Sequence, residues 1–191
     1  RAFFSVRGTL FALDRKSGEP LWTHEHGTKI AVPCAAGSSV LLSDSQGWLA
    51  EIEATSGVVV RKWRIGRSLA FPEVGLGGVW LSHAEGAVSC LDGRTFRTCW
   101  RATFDSPLAS AICGGEAEVA ALLRSGSLVV LRGLSGLVEW RMENVDPRVR
   151  PTTDGGEFFV RHGQGSLYAI MLQNGDVRLI CHNTAARSLT V

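Results

Sequence analysis

Apolar and polar residues alternate in short runs along the whole chain, and turns rich in glycine, serine and aspartate separate these runs. In the second cycle of the pattern, the apolar positions predict strands at residues 30–36, 40–43, 48–53 and 58–65. Successive side chains of a strand point to opposite faces, so this alternation indicates half-buried strands. No dozen-residue window has the apolar spacing of a helix. The pattern therefore predicts an all-β protein.

The strand pattern repeats, because its turn glycines recur at a nearly constant interval. The anchor glycines lie 39, 39, 40 and 39 residues apart, at Gly8, Gly47, Gly86, Gly126 and Gly165. Four of the five repeats carry a second glycine ten residues later, and Phe96 replaces it in the third repeat. Four antiparallel strands per repeat of this length are typical of β-propeller blades. We predict a single β-propeller domain over residues 1–191, with about five four-stranded blades. The alternative is that these blades are part of a seven- or eight-bladed propeller.

The two ends of the chain complement one another in this scheme. The strand at residues 2–6 takes the second position of its blade, so the first blade lacks an innermost strand. The segment 187–191 follows the last outer strand, where an innermost strand is due. Pairing of this segment beside the first blade would close the ring and cover an exposed sheet edge. Because the chain starts inside a repeat and without methionine, we expect it to be a processed piece or part of a longer protein.

The repeat resembles that of a known family. The motif Gly8-x-Leu-x-Ala-Leu-Asp-x-x-Ser-Gly18-x-x-x-Trp22 is similar to the consensus of the PQQ-like (quinoprotein-type) β-propeller repeats. The similarity extends over essentially the whole chain. The repeat is unlike that of WD40 proteins, because no Trp-Asp dipeptide ends a strand and no Gly-His pair occurs.

The resemblance implies a structural role for three tryptophans. In the PQQ-like family this tryptophan packs between neighbouring blades, and the residues at that position here are Trp22, Trp100 and Trp140. The second repeat departs from the pattern, with Arg61 at the position and Trp63 two residues later. The fifth repeat has Leu179 there. We expect blade docking to differ at these two repeats.

Charge, hydropathy and cysteine content narrow the function and the location. The chain has 20 Lys and Arg residues against 18 Asp and Glu, and this near balance does not suggest a protein that binds the phosphate backbone of a nucleic acid. No apolar run approaches about 18 residues, so no membrane span is predicted. The five cysteines form no C-x-x-C pair, and we expect them to be buried free thiols. This usage fits a reducing compartment, and a cytoplasmic location is favoured.

The resemblance also raises the possibility of quinone-dependent dehydrogenase chemistry. In the family, that activity implies a calcium ion held by carboxylates and an asparagine, a carboxylate base and often two adjacent cysteines. No two cysteines are adjacent here. His24 and His26 share a strand face that a metal could use, but exposed positions on an outer strand fit them better. No G-x-S-x-G nucleophile elbow is present, and we predict no catalytic, cofactor-binding or metal-binding residues and no cofactor.

A basic and aromatic cluster is the candidate interaction site. Arg61, Arg64 and Arg67 surround Trp63 in the sequence, a combination that suits an acidic partner or a phosphate. The alternative is a solvated outer strand whose charges discourage edge-to-edge pairing. Trp48 stands where the other repeats carry small residues, so it is either packed under a loop or an exposed anchor for a partner.

The function that these observations favour is a non-catalytic β-propeller scaffold for protein–protein interaction. Its partner would be another protein or another domain of a longer chain, without nucleic acid. One alternative is a ligand-sensing or substrate-positioning propeller domain of a larger enzyme or receptor kinase. The other alternative, which the residues favour least, is a fragment of a quinone-dependent dehydrogenase.

Overall fold

The computed structural model of the chain describes residues 1–66, 70–75, 78–83, 85–110, 112–114, 117–154, 156–163, 165–171 and 175–181. These residues form 19 β-strands and no helix. The all-β fold predicted from the alternation is confirmed. Arg67 and the closing strand predicted at 187–191 lie outside the described residues.

The strands of the described residues assemble into five antiparallel sheets, one for each repeat, and we number them as blades one to five. Blade one has three strands, β1 (Ala2–Val6), β2 (Thr9–Leu13) and β3 (Pro20–Glu25). Each later blade has four strands in sequential order. These strands are β4 (Cys34–Ala36), β5 (Ser39–Ser43), β6 (Trp48–Glu53) and β7 (Val59–Arg64) in blade two; β8 (Ala70–Gly75), β9 (Gly78–His83), β10 (Ala87–Asp92) and β11 (Thr98–Thr103) in blade three; β12 (Cys113–Gly114), β13 (Glu118–Leu122), β14 (Leu128–Arg132) and β15 (Val138–Met142) in blade four; and β16 (Thr152–Thr153), β17 (Glu157–Arg161), β18 (Leu167–Met171) and β19 (Val177–Cys181) in blade five.

The chain divides into two compact units, Arg1–Val74 and Gly75–Val191. The single domain over residues 1–191 stays a prediction. The innermost strand of blade two is shorter than the segment 30–36 predicted for it. Ile30 forms an isolated bridge with Asp44, and continuous pairing starts at β4, after Pro33, which has no N–H to donate. The outer strand predicted at residues 58–65 is β7, one residue shorter at each end.

Blades one to four share the same irregularity between their two outer strands. The register shifts after the fourth residue beyond the anchor glycine, at Ala12/Leu13, Glu51/Ile52, Cys90/Leu91 and Val130/Leu131 in blades one to four. The turn that follows ends on a residue with positive φ, which is 75° at Gly18 and 76° at Gly57. Glycine adopts this left-handed conformation without steric cost, which explains its recurrence ten residues after four of the five anchors.

The first hairpin of blade one is one residue shorter than its counterparts. Only Arg7 and Gly8 separate the paired ends of β1 and β2. Their φ values of 48° and 87° are those of a type I′ turn, the usual two-residue hairpin turn. In blade two the turn has three residues and is closed by a hydrogen bond that Asp44 N donates to Trp48 O at 2.9 Å.

The core of each unit is made by apolar side chains from facing blades. In the first unit, blades one and two pack through a cluster of fully or nearly buried residues, Leu10, Val40, Leu42, Ala50, Ile52 and Ala54. In the second unit, one cluster joins blades three and four and another joins blades four and five. Trp80 is 0% exposed and lies in the cluster that joins blades three and four.

Candidate functional site

Trp22 of β3 packs on the glycine turn of blade two. Its indole Nε1 donates a hydrogen bond to Ala54 O at 3.2 Å. A Cβ added at Gly57 would lie only 2.7 Å from Cε3 of the ring. The tryptophan of one repeat therefore occupies the space that a side chain at the second glycine of the next repeat would need.

The same arrangement recurs twice in the second unit. Trp100 Nε1 donates to Gly133 O at 2.8 Å, and a Cβ at Gly136 would lie 2.5 Å from its ring. A Cβ at Gly175 would lie 3.2 Å from the ring of Trp140. These contacts are those that a blade-docking role requires, and the energetic importance of the three tryptophans stays a prediction.

Trp48 and Arg64 form the central pair of the candidate interaction surface. They are directly opposite across β6 and β7, and Arg64 Cζ lies 5.3 Å from the Trp48 ring centroid. Trp48 is 39% exposed, so its ring is open to solvent as well as covered by the guanidinium. Lys62 pairs with Ala50 two residues along, on the same face of the sheet. We call Trp48, Lys62 and Arg64 the blade-two surface.

Arg61 does not belong to this surface, although it is close in sequence. It pairs with Glu51 on the opposite face of the sheet, where its Nε donates to Glu51 Oε2 at 2.7 Å. Its guanidinium also lies 4.8 Å from the centroid of the Trp63 ring. The basic cluster of the sequence is thus divided between two faces, because neighbouring strand residues point to opposite sides.

His24 and His26 are not the exposed positions that the sequence analysis favoured. The side chain of His26 is only 2% exposed, and its Nε2 lies 3.0 Å from Asp44 Oδ2. His24 Nε2 is buried and has no hydrogen-bond partner among the described residues. Burial, then His26 and Lys62, lower the pKa of His24. Both histidines turn toward blade two instead of solvent. The alternation of residues within one strand does not show which side chains a neighbouring blade will cover.

Asp44 links this histidine contact to the turn that carries Trp48. Its Oδ1 accepts hydrogen bonds from the backbone N–H groups of Gln46 at 2.9 Å and Trp48 at 3.0 Å. Burial alone would raise the pKa of Asp44, but these bonds and the contact with His26 hold it below its usual value. The carboxylate therefore stabilises the start of β6, and with it the position of Trp48.

A buried histidine and serine form a second polar group that the sequence analysis missed. His83 Nε2 lies 2.9 Å from Ser89 Oγ and 3.3 Å from Arg101 Nη1. Burial and then the charge of Arg101 lower the pKa of His83. Because arginine can only donate, Nε2 is the acceptor in the neutral ring. Both His83 and Ser89 are 3% exposed, so this pair is part of the interior.

A third polar group lies between blades four and five. Asp146 is 2% exposed and forms ion pairs with Arg148 at 2.9 Å and Arg161 at 3.2 Å. The hydrogen bonds from Arg148 come first among the causes that lower the pKa of Asp146. Sequence reasoning missed this group because these residue types do not recur at the same positions of the other repeats.

The residues present do not fit the calcium and quinone group of the dehydrogenases. The described part of the chain contains no cluster of three or more His, Cys, Asp or Glu side chains that could hold a metal ion. Cys34, Cys90, Cys99 and Cys181 are free thiols. The expectation of burial is correct for Cys90 and wrong for Cys99, which lies at the outer-strand register shift of blade three and is exposed.

The five sheets and their docking contacts define a β-propeller built from PQQ-like repeats, as the repeat motif predicted. The chain belongs to the family whose model is described as "Outer membrane protein assembly factor BamB", which matches residues 2–188. A search of curated proteins found no matching sequence. Across the residues that the structure describes, no helix is long and apolar enough to cross a membrane.

Solved structures with similar folds include propellers of several kinds. BamB from Moraxella catarrhalis aligns over 96% of this chain and 61% of its own, with 21% identity and a TM-score of 0.71. The Pan2 WD40 domain of Neurospora crassa aligns over 93% and 60%, with 13% identity and a TM-score of 0.76. The designed protein Ika8 aligns over 96% and 59%, with 14% identity and a TM-score of 0.75. The chain thus spans about three fifths of the length of these structures.

Proposed function

We propose that this chain is a non-catalytic interaction scaffold whose blade-two surface binds an acidic region of a protein partner. The observation that carries the proposal is the pair formed by Trp48 and Arg64, an aromatic ring partly open to solvent and covered on one side by a cation. Tryptophan and arginine are the residues most enriched among the side chains that dominate interface energies.

The charges around Trp48 favour an acidic partner. Lys62 and Arg64 are exposed on its face of the sheet, and neither forms an ion pair with a residue that the structure describes. The carboxylate of Asp44, at the turn before Trp48, is buried and already accepts bonds from the turn and from His26. A partner carboxylate could therefore pair with either cation while an apolar side chain covers the indole.

Two further observations support the scaffold role. The family description names an assembly factor, and association with other proteins is the role that such a name implies for a relative. Among the residues that the structure describes, the contact of Ser89 with His83 lies in the interior, with each side chain 3% exposed, so a substrate has no access to it. The absence of catalysis is part of the proposal.

The proposal is tested by comparing capture by the intact chain and its variants. Immobilised protein is incubated with extract of the source cells, and captured proteins are quantified by mass spectrometry. Trp48→Ala and Arg64→Glu should each reduce capture of the same acidic partner at least tenfold, since a central interface residue contributes about 2 kcal/mol or more.

Arg61→Gln is the matched control, because it removes a cation of the same strand that faces the other side and pairs with Glu51. It should leave capture unchanged. Partner capture that is equal for the wild type, Trp48→Ala and Arg64→Glu would contradict the proposed surface.

The alternative of a ligand-sensing propeller domain is favoured by one observation. Blade one contains a cavity of about 600 Å³, within the range of small-molecule sites.

A further inference from the structure

The cavity in blade one lies between the short β1–β2 turn and the loop that leads from β3 to blade two. Arg7 and Gly8 line it on the turn side, and Thr28 and Lys29 line it on the loop side, with Glu25 at the end of β3. Because glycine has no side chain, Thr28 O can approach the turn: a Cβ at Gly8 would lie 2.8 Å from this oxygen.

Backbone hydrogen bonds hold both walls of the cavity in place. His26 N donates to Gly8 O at 2.9 Å, which ties the start of the loop to the turn. Ser45 N donates to Lys29 O at 2.8 Å, which ties the end of the loop to blade two. The loop is fixed at both ends, so the cavity does not have to form around a ligand.

The cavity is found in the blade whose first turn is one residue shorter than the others. Only Arg7 and Gly8 connect β1 and β2, so no third turn residue extends toward the loop. Asp44 of blade two contacts the first residue of this same loop, His26. The cavity therefore lies beside the shorter turn, under a loop that blade two holds at its start.

Three charged side chains face this space without a partner of opposite sign. Arg7, Lys29 and Glu25 line the cavity, and none of them forms an ion pair with any residue in the described part of the chain. The hydroxyl of Thr28 is buried and also lacks a hydrogen-bond partner among the described residues. Two cations, one carboxylate and one free hydroxyl match a small ligand that carries both an acidic and a basic group.

We propose that this cavity binds a small zwitterion, such as an amino acid or a short peptide. The ligand carboxylate pairs with Arg7 and Lys29, its ammonium group pairs with Glu25, and Thr28 Oγ1 hydrogen-bonds to a polar atom between them. Arginine suits this task because its guanidinium donates two parallel hydrogen bonds to a carboxylate. This site is separate from the blade-two surface.

Glycylglycine and two capped forms test the proposal in one experiment on the intact chain. N-acetylglycylglycine lacks the ammonium group, and glycylglycinamide lacks the carboxylate. In isothermal titration calorimetry, glycylglycine should bind at least tenfold more tightly than either capped form. Equal Kd values for the three compounds, or no heat of binding for glycylglycine up to about 10 mM, would overturn the proposal.

Single substitutions assign the two ends of the ligand. Lys29→Gln should raise the Kd of glycylglycine at least fivefold, and Glu25→Gln should do the same while leaving the Kd of the N-acetyl form unchanged. Arg15→Gln is the control, since Arg15 is exposed in the β2–β3 turn and does not line the cavity. A wild-type Kd in both cavity variants would overturn the assignment. The comparison of the three compounds on the wild type stands even if a variant fails to fold.

Discussion

Replacing Gly57 with alanine tests the packing between blades, because Gly18 provides a control at the same position of the preceding repeat. The two glycines have φ values of 76° and 75°. Each ends the same kind of turn, with Gly57 N donating to Glu53 O and Gly18 N to Asp14 O, both at 2.9 Å. They differ in surroundings, since a Cβ at Gly57 meets the ring of a tryptophan and a Cβ at Gly18 meets nothing within 4 Å.

The expected loss of stability has two parts. An alanine in left-handed conformation costs about 1–2 kcal/mol at either position. At Gly57 the new Cβ would also lie 2.7 and 2.8 Å from Cε3 and Cδ2 of Trp22, well inside the contact distance of about 3.5 Å. Overpacking of this kind adds about 1–3 kcal/mol. We therefore expect losses of about 1–2 kcal/mol for Gly18→Ala and about 2–5 kcal/mol for Gly57→Ala.

Urea and thermal unfolding, followed by circular dichroism, measure both losses in the same chain. Each kcal/mol should lower Tm by about 2–4 °C for a chain of this size. In a Trp22→Ala background the clash is gone, and Gly57→Ala should then cost no more than Gly18→Ala. Equal losses for the two glycine variants in the wild-type background would refute the reasoning that the indole fills this space.

Three polar groups give further predictions. Asp44→Asn should destabilise the chain more at pH 7 than at pH 3. A carboxyl whose pKa is lowered on folding stabilises the fold fully above its unfolded value of 3.8, and this contribution is lost as the pH falls through the folded value. Urea unfolding at the two pH values measures the difference. His83→Gln should reduce the fall in Tm between pH 7 and pH 5: the pKa of His83 is lowered, so the unfolded state takes up the proton first, from about pH 6.5 downward. A fall in Tm as steep as that of the wild type would contradict this. Asp146→Ala should lower the free energy of unfolding by about 3–5 kcal/mol, because it leaves the mostly buried Arg161 unpaired. Arg148→Ala removes a side chain that is 79% exposed and should lower it by less than about 1 kcal/mol. Similar urea midpoints for the two variants would argue against a buried ion pair.

The fold could be predicted because its determinants are local and repeated. The turns need glycine at positions of positive φ, and the strands between them alternate apolar and polar residues, so both signals recur at the same spacing five times. Even the outer strand predicted at residues 58–65 differs from β7 by only one residue at each end. Repetition makes such a signal readable from one sequence, since each copy confirms the others.

The site was only partly predictable, because its contacts join residues of different strands and blades. The sequence groups Arg61 with Arg64, but pairing across β6 and β7 places one beside Glu51 and the other beside Trp48. The contact of His26 with Asp44 joins blade one to blade two, and no periodicity within either repeat indicates it. The cavity lies beside a turn that is shorter by one residue, a difference that only the pairing of β1 with β2 reveals.

The departures from the repeat follow the same physical reasoning. Trp22, Trp100 and Trp140 are each followed in the next repeat by a glycine on which the ring packs. The second repeat has Arg61 in place of the tryptophan, and the third repeat, which follows it, has Phe96 in place of the glycine. At Gly57, Gly136 and Gly175 the turn has to leave room for an indole as well as adopt a positive φ. Phe96 keeps the left-handed conformation, with a φ of 56°, and is 7% exposed. In the third repeat the turn itself therefore contributes a large buried side chain at the position where the other repeats have glycine.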